Sequence, residues 1–214
     1  IAVVIGVVSS EGDTGFVRLI LGDSYVNMTH ENIKNDDPLA VYKKMNGVDM
    51  FMGITFNNIR VSFYAFMAGL LLSAGTILLL LYNGIMLGTF HHLFYTKGLL
   101  LKSLSIVWIH GTLEISSIVI AGAAGLILGN SILFPKTYSR RQSFLISAKD
   151  GVKIIVGLVP LFVIAGFLES FVTRFTQMPI FINLIIIFSS LSFIVWYVII
   201  YPLKLSRREK NEST

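Results

Sequence analysis

Residues 110–132 read HGTLEISSIVIAGAAGLILGNSI, with Glu114 as their one charged residue. A membrane-spanning helix needs about 20 consecutive, mostly apolar residues, so this stretch predicts a transmembrane helix. Similar stretches are found at 59–81, 153–173 and 179–203, and the chain begins with a short apolar stretch at 1–10. The sequence therefore predicts an all-α fold, a polytopic transmembrane helical bundle.

The composition points the same way. Of the 214 residues, 54% are hydrophobic and only 14% are charged, whereas a soluble domain is typically about 25% charged. The net charge of +5 comes from basic residues beside the apolar stretches, which is typical of cytoplasmic loops, so no nucleic-acid partner is expected. Cysteine is absent, which excludes a disulfide framework, thiolate catalysis and cysteine-ligated metals.

The charges of the connections predict how the chain crosses the membrane. Residues 11–57 contain seven acidic and four basic residues, so we expect this connection on the extracytoplasmic side. Residues 133–153 contain five basic residues against one acid, and the tail 204–214 is also basic. Both are therefore expected in the cytoplasm. This gives a multi-pass protein of the cytoplasmic (inner) membrane with a cytoplasmic C-terminus.

Placing residues 11–57 outside and both basic stretches inside requires about six membrane segments. Residues 84–107 must supply one of them. His91-His92, Lys97-Gly98 and Lys102 interrupt that stretch, so we expect two short helices with a break near Lys97-Gly98, as in a broken or re-entrant segment.

The chain is interpreted as a single membrane domain, 1–214. The apolar start without Met or basic residues is expected to be the end of a truncated first span. The connection is expected to hold short amphipathic helices, one of them starting at Asp36-Asp37-Pro38. The four parts of the domain are the partial span 1–10, the connection 11–57, the helical bundle 59–203 and the basic tail 204–214.

Two carboxylates, Glu114 and Glu169, lie within the apolar stretches, and each ends a similar phrase, GTLE or GFLE. If 110–132 and 153–173 are antiparallel neighbours, both carboxylates fall at the same depth. His110 lies four residues before Glu114 and shares its helix face. The start of the 59–81 stretch and the end of 153–173 add polar residues at that level. The predicted intramembrane polar cluster is Asn57, Asn58, Arg60, His110, Glu114, Glu169 and Arg174.

Three interpretations of this cluster remain open. The first is a structural clamp that locks the helices through hydrogen bonds. The second is a polar pathway for an ion, a proton or a lipid head group, which carboxylates at membrane depth often mark. The third is a divalent-metal site with His110, Glu114 and Glu169 as ligands and an open position for water, as in a membrane-embedded metalloenzyme. A cofactor is expected only under the last interpretation.

Small residues predict close helix contacts within the bundle or at a homodimer face. The candidate hinge and packing residues are Asn83, Gly84, Gly88, Gly111, Gly122, Gly125 and Gly166. The sequence lacks a Walker A loop, a dinucleotide glycine fingerprint and a GxSxG elbow, so no catalytic residue is assigned.

Five phrases, in order along the chain, carry a family resemblance: Phe56–Val61, Tyr82–Gly88, His110–Glu114, Ala121–Leu126 and Ile164–Glu169. On these phrases the chain resembles the stage II sporulation protein M family of polytopic bacterial and archaeal membrane proteins. The family often has proline before the histidine, where this chain has Ile109.

In endospore formers the resemblance implies a membrane scaffold in an engulfment complex with peptidoglycan-degrading proteins. We therefore expect a non-enzymatic scaffold of a cell-envelope complex, with membrane lipids and other envelope membrane proteins as partners. The alternatives are a transporter, channel or lipid-handling protein with a polar waypoint at Glu114 and Glu169, and the metalloenzyme.

Overall fold

The computed structural model describes residues 1–35, 37–43 and 46–212, and these residues form helices and no β-strand. Their α-helices are α1 Ala2–Ser10, α2 Thr14–Leu21, α3 Asp23–Lys34, α4 Gly47–Met67, α5 Ala74–Tyr95, α6 Leu100–Leu133, α7 Arg140–Phe167, α8 Ile180–Ile194 and α9 Tyr201–Glu212. Two 3-10 helices, Ala40–Lys43 and Ala68–Leu70, and two π-helical turns, Leu168–Val172 and Val195–Ile200, complete the order. The predicted all-α fold is confirmed.

Four helical segments of the described chain are long and apolar enough to cross a membrane: Ala74–Tyr95, Leu100–Leu133, Arg140–Val172 and Ile180–Arg208. The predicted count of about six is therefore a loose one. Six is reached only if the nine-residue α1 and the 21-residue α4 are also counted.

Helix α6 occupies the centre of the bundle and packs against α4, α5, α7 and α8. The main core joins these helices through fully buried side chains such as Phe66, Leu113, Leu161 and Phe162. The backbones of α4 and α6 cross closely, because a Cβ on Gly125 would come within 2.5 Å of the Ala65 carbonyl oxygen. Small residues let neighbouring helices approach in this way when a hydrophobic force between them is absent.

The single helix predicted over 59–81 is wrong. Helix α4 ends at Met67, and the chain turns back through the 3-10 helix Ala68–Leu70 before α5 begins at Ala74. Leu72 and Ser73 have positive φ angles of 52° and 69°. The turn is held by hydrogen bonds across it, since the Thr76 hydroxyl donates to the Ala65 carbonyl at 2.7 Å.

The predicted break near Lys97-Gly98 is present, but the two short helices are not. Gly98 has a φ angle of +68° between the end of α5 and the start of α6. The pieces on either side are the ends of these two long helices, of 22 and 34 residues. Residues 84–107 thus form the corner between two membrane helices.

The connection after α1 holds α2, α3 and the 3-10 helix Ala40–Lys43, and α4 begins before residue 57. Asp13 caps α2, since its side chain accepts a hydrogen bond from the Phe16 amide at 2.9 Å, the usual way to satisfy an N-terminal amide. Asp36, part of the expected helix start, lies outside the described residues.

Candidate functional site

The structure brings His110, Glu114 and Glu169 together between α6 and the end of α7. One ligand atom from each of the three lies within 4.8 Å of the others. His110 Nε2 is 3.8 Å from Glu169 Oε1. His110 and Glu114 are four residues apart on α6 and therefore face the same way. We call these three residues the His–Glu cluster.

Glu169 reaches the cluster from the π-helical turn that follows α7. In that turn the Thr173 amide donates to the Leu168 carbonyl, five residues back, at 2.8 Å. The wider turn changes the face on which residues after Phe167 point, and such turns are frequent at functional sites. Gly166 contributes too, because a Cβ there would collide with Thr55 Oγ1 on α4.

Thr173 also fixes the orientation of the His110 ring. When the Thr173 hydroxyl donates its one proton to the Leu168 carbonyl at 3.1 Å, it accepts from His110 Nδ1, which lies 3.2 Å away. In that arrangement a neutral imidazole carries its proton on Nδ1 and its lone pair on Nε2. The lone pair is thus on the nitrogen nearest Glu169.

A polar cavity of about 340 Å³ opens onto the cluster between α4 and α6. Besides the cluster it is lined by Gly53, Ile54, Asn57 and Asn58. Asn58 is 5% exposed, and its Nδ2 faces Glu114 without meeting hydrogen-bond geometry to any described residue. A buried amide without a well-formed hydrogen bond is costly, so Asn58 is placed to donate to Glu114 or to a water in the cavity.

A second, apolar cavity of about 300 Å³ meets the cluster from the other side. It lies among α1, α5 and α6, with Val3, Leu80 and Ile118 in its wall, and His110 and Glu114 line it as well. These two residues therefore separate a polar opening from an apolar pocket.

The other predicted polar residues are distributed around the site. Asn57 and Asn58 line the polar cavity. Arg60 points outward, with its Nε donating to the Tyr64 hydroxyl at 3.0 Å and its guanidinium over the Tyr64 ring. Arg174 lies against the start of α4, since a Cβ on Gly47 would come within 2.9 Å of its Nη1.

The predicted packing residues fall into three groups. Gly84 and Gly88 lie against α1, and Gly122 lies against the Leu80 side chain. Gly125 and Gly166 mark the close approaches of α4 to α6 and α7. Gly111 and Asn83 line the apolar cavity instead, where Asn83 Nδ2 also donates to the Leu79 carbonyl at 2.9 Å.

Sequence reasoning missed Thr173 and Tyr25. Tyr25, on α3, has a ring centroid 6.2 Å from that of Phe90. Burial raises the pKa of Tyr25 to about 12, and the negative charge of Glu169 adds to the rise. Tyr25 thus stays neutral. A lone threonine or tyrosine in a polar stretch carries no signal of such a position.

A second histidine and carboxylate pair lies at the end of α1, away from the cluster. His92 Nε2 is 3.0 Å from Glu11 Oε2, beside a cavity of about 440 Å³ that His30 also lines. The pKa of His30 is lowered by burial, with the positive charges of Lys97, Arg18 and Lys34 adding to the effect.

Comparison with known proteins gives one family. The family model described as Stage II sporulation protein M matches residues 1–174, a range that contains the whole His–Glu cluster. No curated protein matches the chain. No solved structure matches it either.

Proposed function

Since the chain belongs to the stage II sporulation protein M family, we propose that it is a non-enzymatic membrane component that holds partner proteins in a cell-envelope complex. The family and the four apolar helical segments make it an integral membrane protein. Partner binding is the further step, and the surface of α8 supports it.

Helix α8 presents a continuous outward face. Phe181, Ile185, Phe188 and Ser192 follow one another at helical spacing on α8, Trp196 follows in the π-helical turn after it, and all are exposed. Only 11% of the most apolar window of the Ile180–Arg208 segment is buried, against 33–50% in the other three. Ser192 is a small polar position with an aromatic residue four places before and after it. Small and polar residues on a lipid-facing surface favour contact with another transmembrane helix.

The test is Ser192→Phe, which fills this position without touching the core. We expect affinity-tagged Ser192→Phe protein to lose membrane partners that co-purify with the unmodified chain, while its thermal stability in detergent stays unchanged. Val156→Phe on α7 is the matched control, because Val156 is 64% exposed on another helix. Equal partner recovery with both variants contradicts the proposal.

A second copy of the chain is the simplest partner that the same surface could hold. Because the chain has no cysteine, a single cysteine at position 192 can be cross-linked with a short bismaleimide. A cross-linked homodimer at position 192 but not at 156 identifies the partner as the chain itself, whereas a hetero-complex identifies another envelope protein.

We further infer that residues 133–139 and the tail lie in the cytoplasm and that α2 and α3 lie on the extracytoplasmic side of the membrane. The basic residues that follow α6 and α8, against the acidic connection after α1, support this orientation.

A second candidate function is lipid handling, with Glu114 as a polar waypoint. The observation that favours it is the meeting of the apolar and polar cavities at His110 and Glu114. An amphipathic molecule would place its chain among α1, α5 and α6 and its polar end beside the carboxylates. Cavities with apolar walls and few polar groups are typical of ligand sites.

The test is the binding of a dansyl-labelled long-chain alkylamine to the detergent-solubilised protein in metal-free buffer. Val119→Trp narrows the apolar cavity and is expected to weaken binding at least tenfold, about 1.4 kcal/mol. Ile127→Trp is the control, since Ile127 lies on the same helix, is similarly exposed and is outside this cavity. Equal affinities of the two variants contradict lipid handling.

A further inference from the structure

We propose that His110, Glu114 and Glu169 bind one divalent transition-metal ion, with a water in an open position held by Asn58. The ligand atoms lie within 4.8 Å of one another, whereas tetrahedral ligands about 2.0–2.2 Å from an ion are about 3.3–3.6 Å apart. An inward movement of the carboxylates by about 1 Å would bring all three residues to ligand distance.

The tautomer of His110 fits a metal ligand. With the Thr173 hydroxyl donating to the Leu168 carbonyl, Nδ1 donates to Thr173 and the lone pair of Nε2 faces Glu169. Metal-bound histidines in proteins almost always donate their second ring nitrogen to an oxygen acceptor, which fixes both the tautomer and the ring orientation. Thr173 supplies that acceptor here, and it directly follows the π-helical turn that carries Glu169, which its amide closes by donating to the Leu168 carbonyl.

The charges favour a divalent ion. Two carboxylates at this depth sum to −2, and a divalent cation neutralises both, whereas a monovalent one leaves a net charge in a medium that penalises it. Imidazole is a usual ligand for zinc and its neighbours, while Ca²⁺ and Mg²⁺ prefer all-oxygen sets. One histidine and two carboxylates therefore point to an ion of the zinc class.

Asn58 independently indicates a further ligand. Its side chain is buried, lines the polar cavity with all three residues, and has an Nδ2 that faces Glu114 without a well-formed hydrogen bond. Three protein ligands leave one tetrahedral position open, as in zinc sites that keep a water. A water there would accept from the Asn58 amide and satisfy it.

The experiment measures metal content directly. The purified full chain is stripped with a chelator, incubated with Zn²⁺, desalted and analysed by mass spectrometry of the element. We expect one zinc per chain, and substoichiometric zinc in His110→Gln, Glu114→Gln and Glu169→Gln. The controls are His92→Gln and Glu11→Gln, which alter the other histidine and carboxylate pair, formed by a buried His92 and an exposed Glu11, and should retain the zinc of the unmodified chain.

Thr173 gives a variant that leaves every ligand in place. Thr173→Val should lower zinc affinity about 10–100-fold, as loss of a partner to a metal-bound histidine usually does, while Thr173→Ser should restore it. Co²⁺ in the same site should give the intense visible absorption of a four-coordinate ion. The proposal is overturned if the unmodified chain retains no more zinc than His110→Gln, or if the His92→Gln and Glu11→Gln controls lose as much as the cluster variants.

Discussion

At the scale of single residues, the unusual feature is two carboxylates from different helices brought to one place in a membrane protein. Carboxylate oxygens of Glu114 and Glu169 lie within 4.8 Å of each other, and Arg60, one of the two cations predicted in the cluster, turns outward to Tyr64. Like charges this close disfavour each other's ionised form. Repulsion between the two carboxylates therefore lowers the stability of the protein when no cation is bound. A bound cation would restore that stability.

That cost leads to a first prediction, for Glu169→Gln in metal-free detergent solution. Removing one of two like charges should raise the Tm, by about 2–4 °C for each kcal/mol of repulsion relieved in a chain of this size. Zinc should then raise the Tm of the unmodified chain and leave that of the variant unchanged. Differential scanning fluorimetry with and without zinc measures both, with Glu11→Gln as the control. A lower Tm of Glu169→Gln without metal would instead support a structural clamp.

The sequence could predict the three cluster residues but not what surrounds them. His110 and Glu114 are four residues apart in a helix, and antiparallel neighbours place Glu169 at their depth, so spacing alone brings the three together. The partner of His110 is different: Thr173 reaches it through a π-helical turn, and nothing in the residues Leu168–Val172 distinguishes that turn from regular α-helix.

At the scale of helices, the turn between α4 and α5 divides a stretch that hydropathy predicts as one helix. Residues 68–73 are mostly apolar and contain no proline, so hydropathy continues across them. The reversal depends on tertiary contacts: the Ser73 hydroxyl donates to the Leu126 carbonyl at 3.1 Å, and a Cβ on Gly69 would collide with the Gly125 backbone. Contacts between residues more than fifty positions apart leave no local pattern.

This turn gives a second prediction. Leu72 has a φ angle of 52° and is about half exposed, and a left-handed backbone costs a residue with a side chain roughly 1–2 kcal/mol. Leu72→Gly should therefore raise the free energy of unfolding by up to about that amount, measured by denaturation in mixed micelles. Leu71→Gly is the control, since Leu71 is also exposed but has a φ angle of −82°. Glycine at position 71 should therefore destabilise the protein. Equal losses in both variants would show that the positive φ at Leu72 carries no strain.

At the scale of the whole molecule, the close contacts show which ends of the helices lie together. The α4–α5 turn lies beside the end of α6, where Gly129 approaches Ser73, and Phe66 meets Gly151 in the N-terminal half of α7. Toward the opposite end, the His–Glu cluster joins the N-terminal half of α6 to the turn that follows α7. Helices α4 to α7 therefore run alternately up and down, and each connection between them has a defined end of the bundle.

The alternation of the helices predicts on which side of the membrane each helix end lies. Because the chain is free of cysteine, single cysteines can be placed at exposed positions 13 and 97, at the cluster end, and 140 and 207, at the other. In intact cells an impermeant maleimide should label 13 and 97 but should reach 140 and 207 only after permeabilisation, because the basic segments are retained in the cytoplasm. Position 97 is the decisive one, since it lies in the corner between α5 and α6. If it labels together with 140, both ends of α6 lie on the same side, so α6 does not cross the membrane and the predicted alternation of sides is wrong.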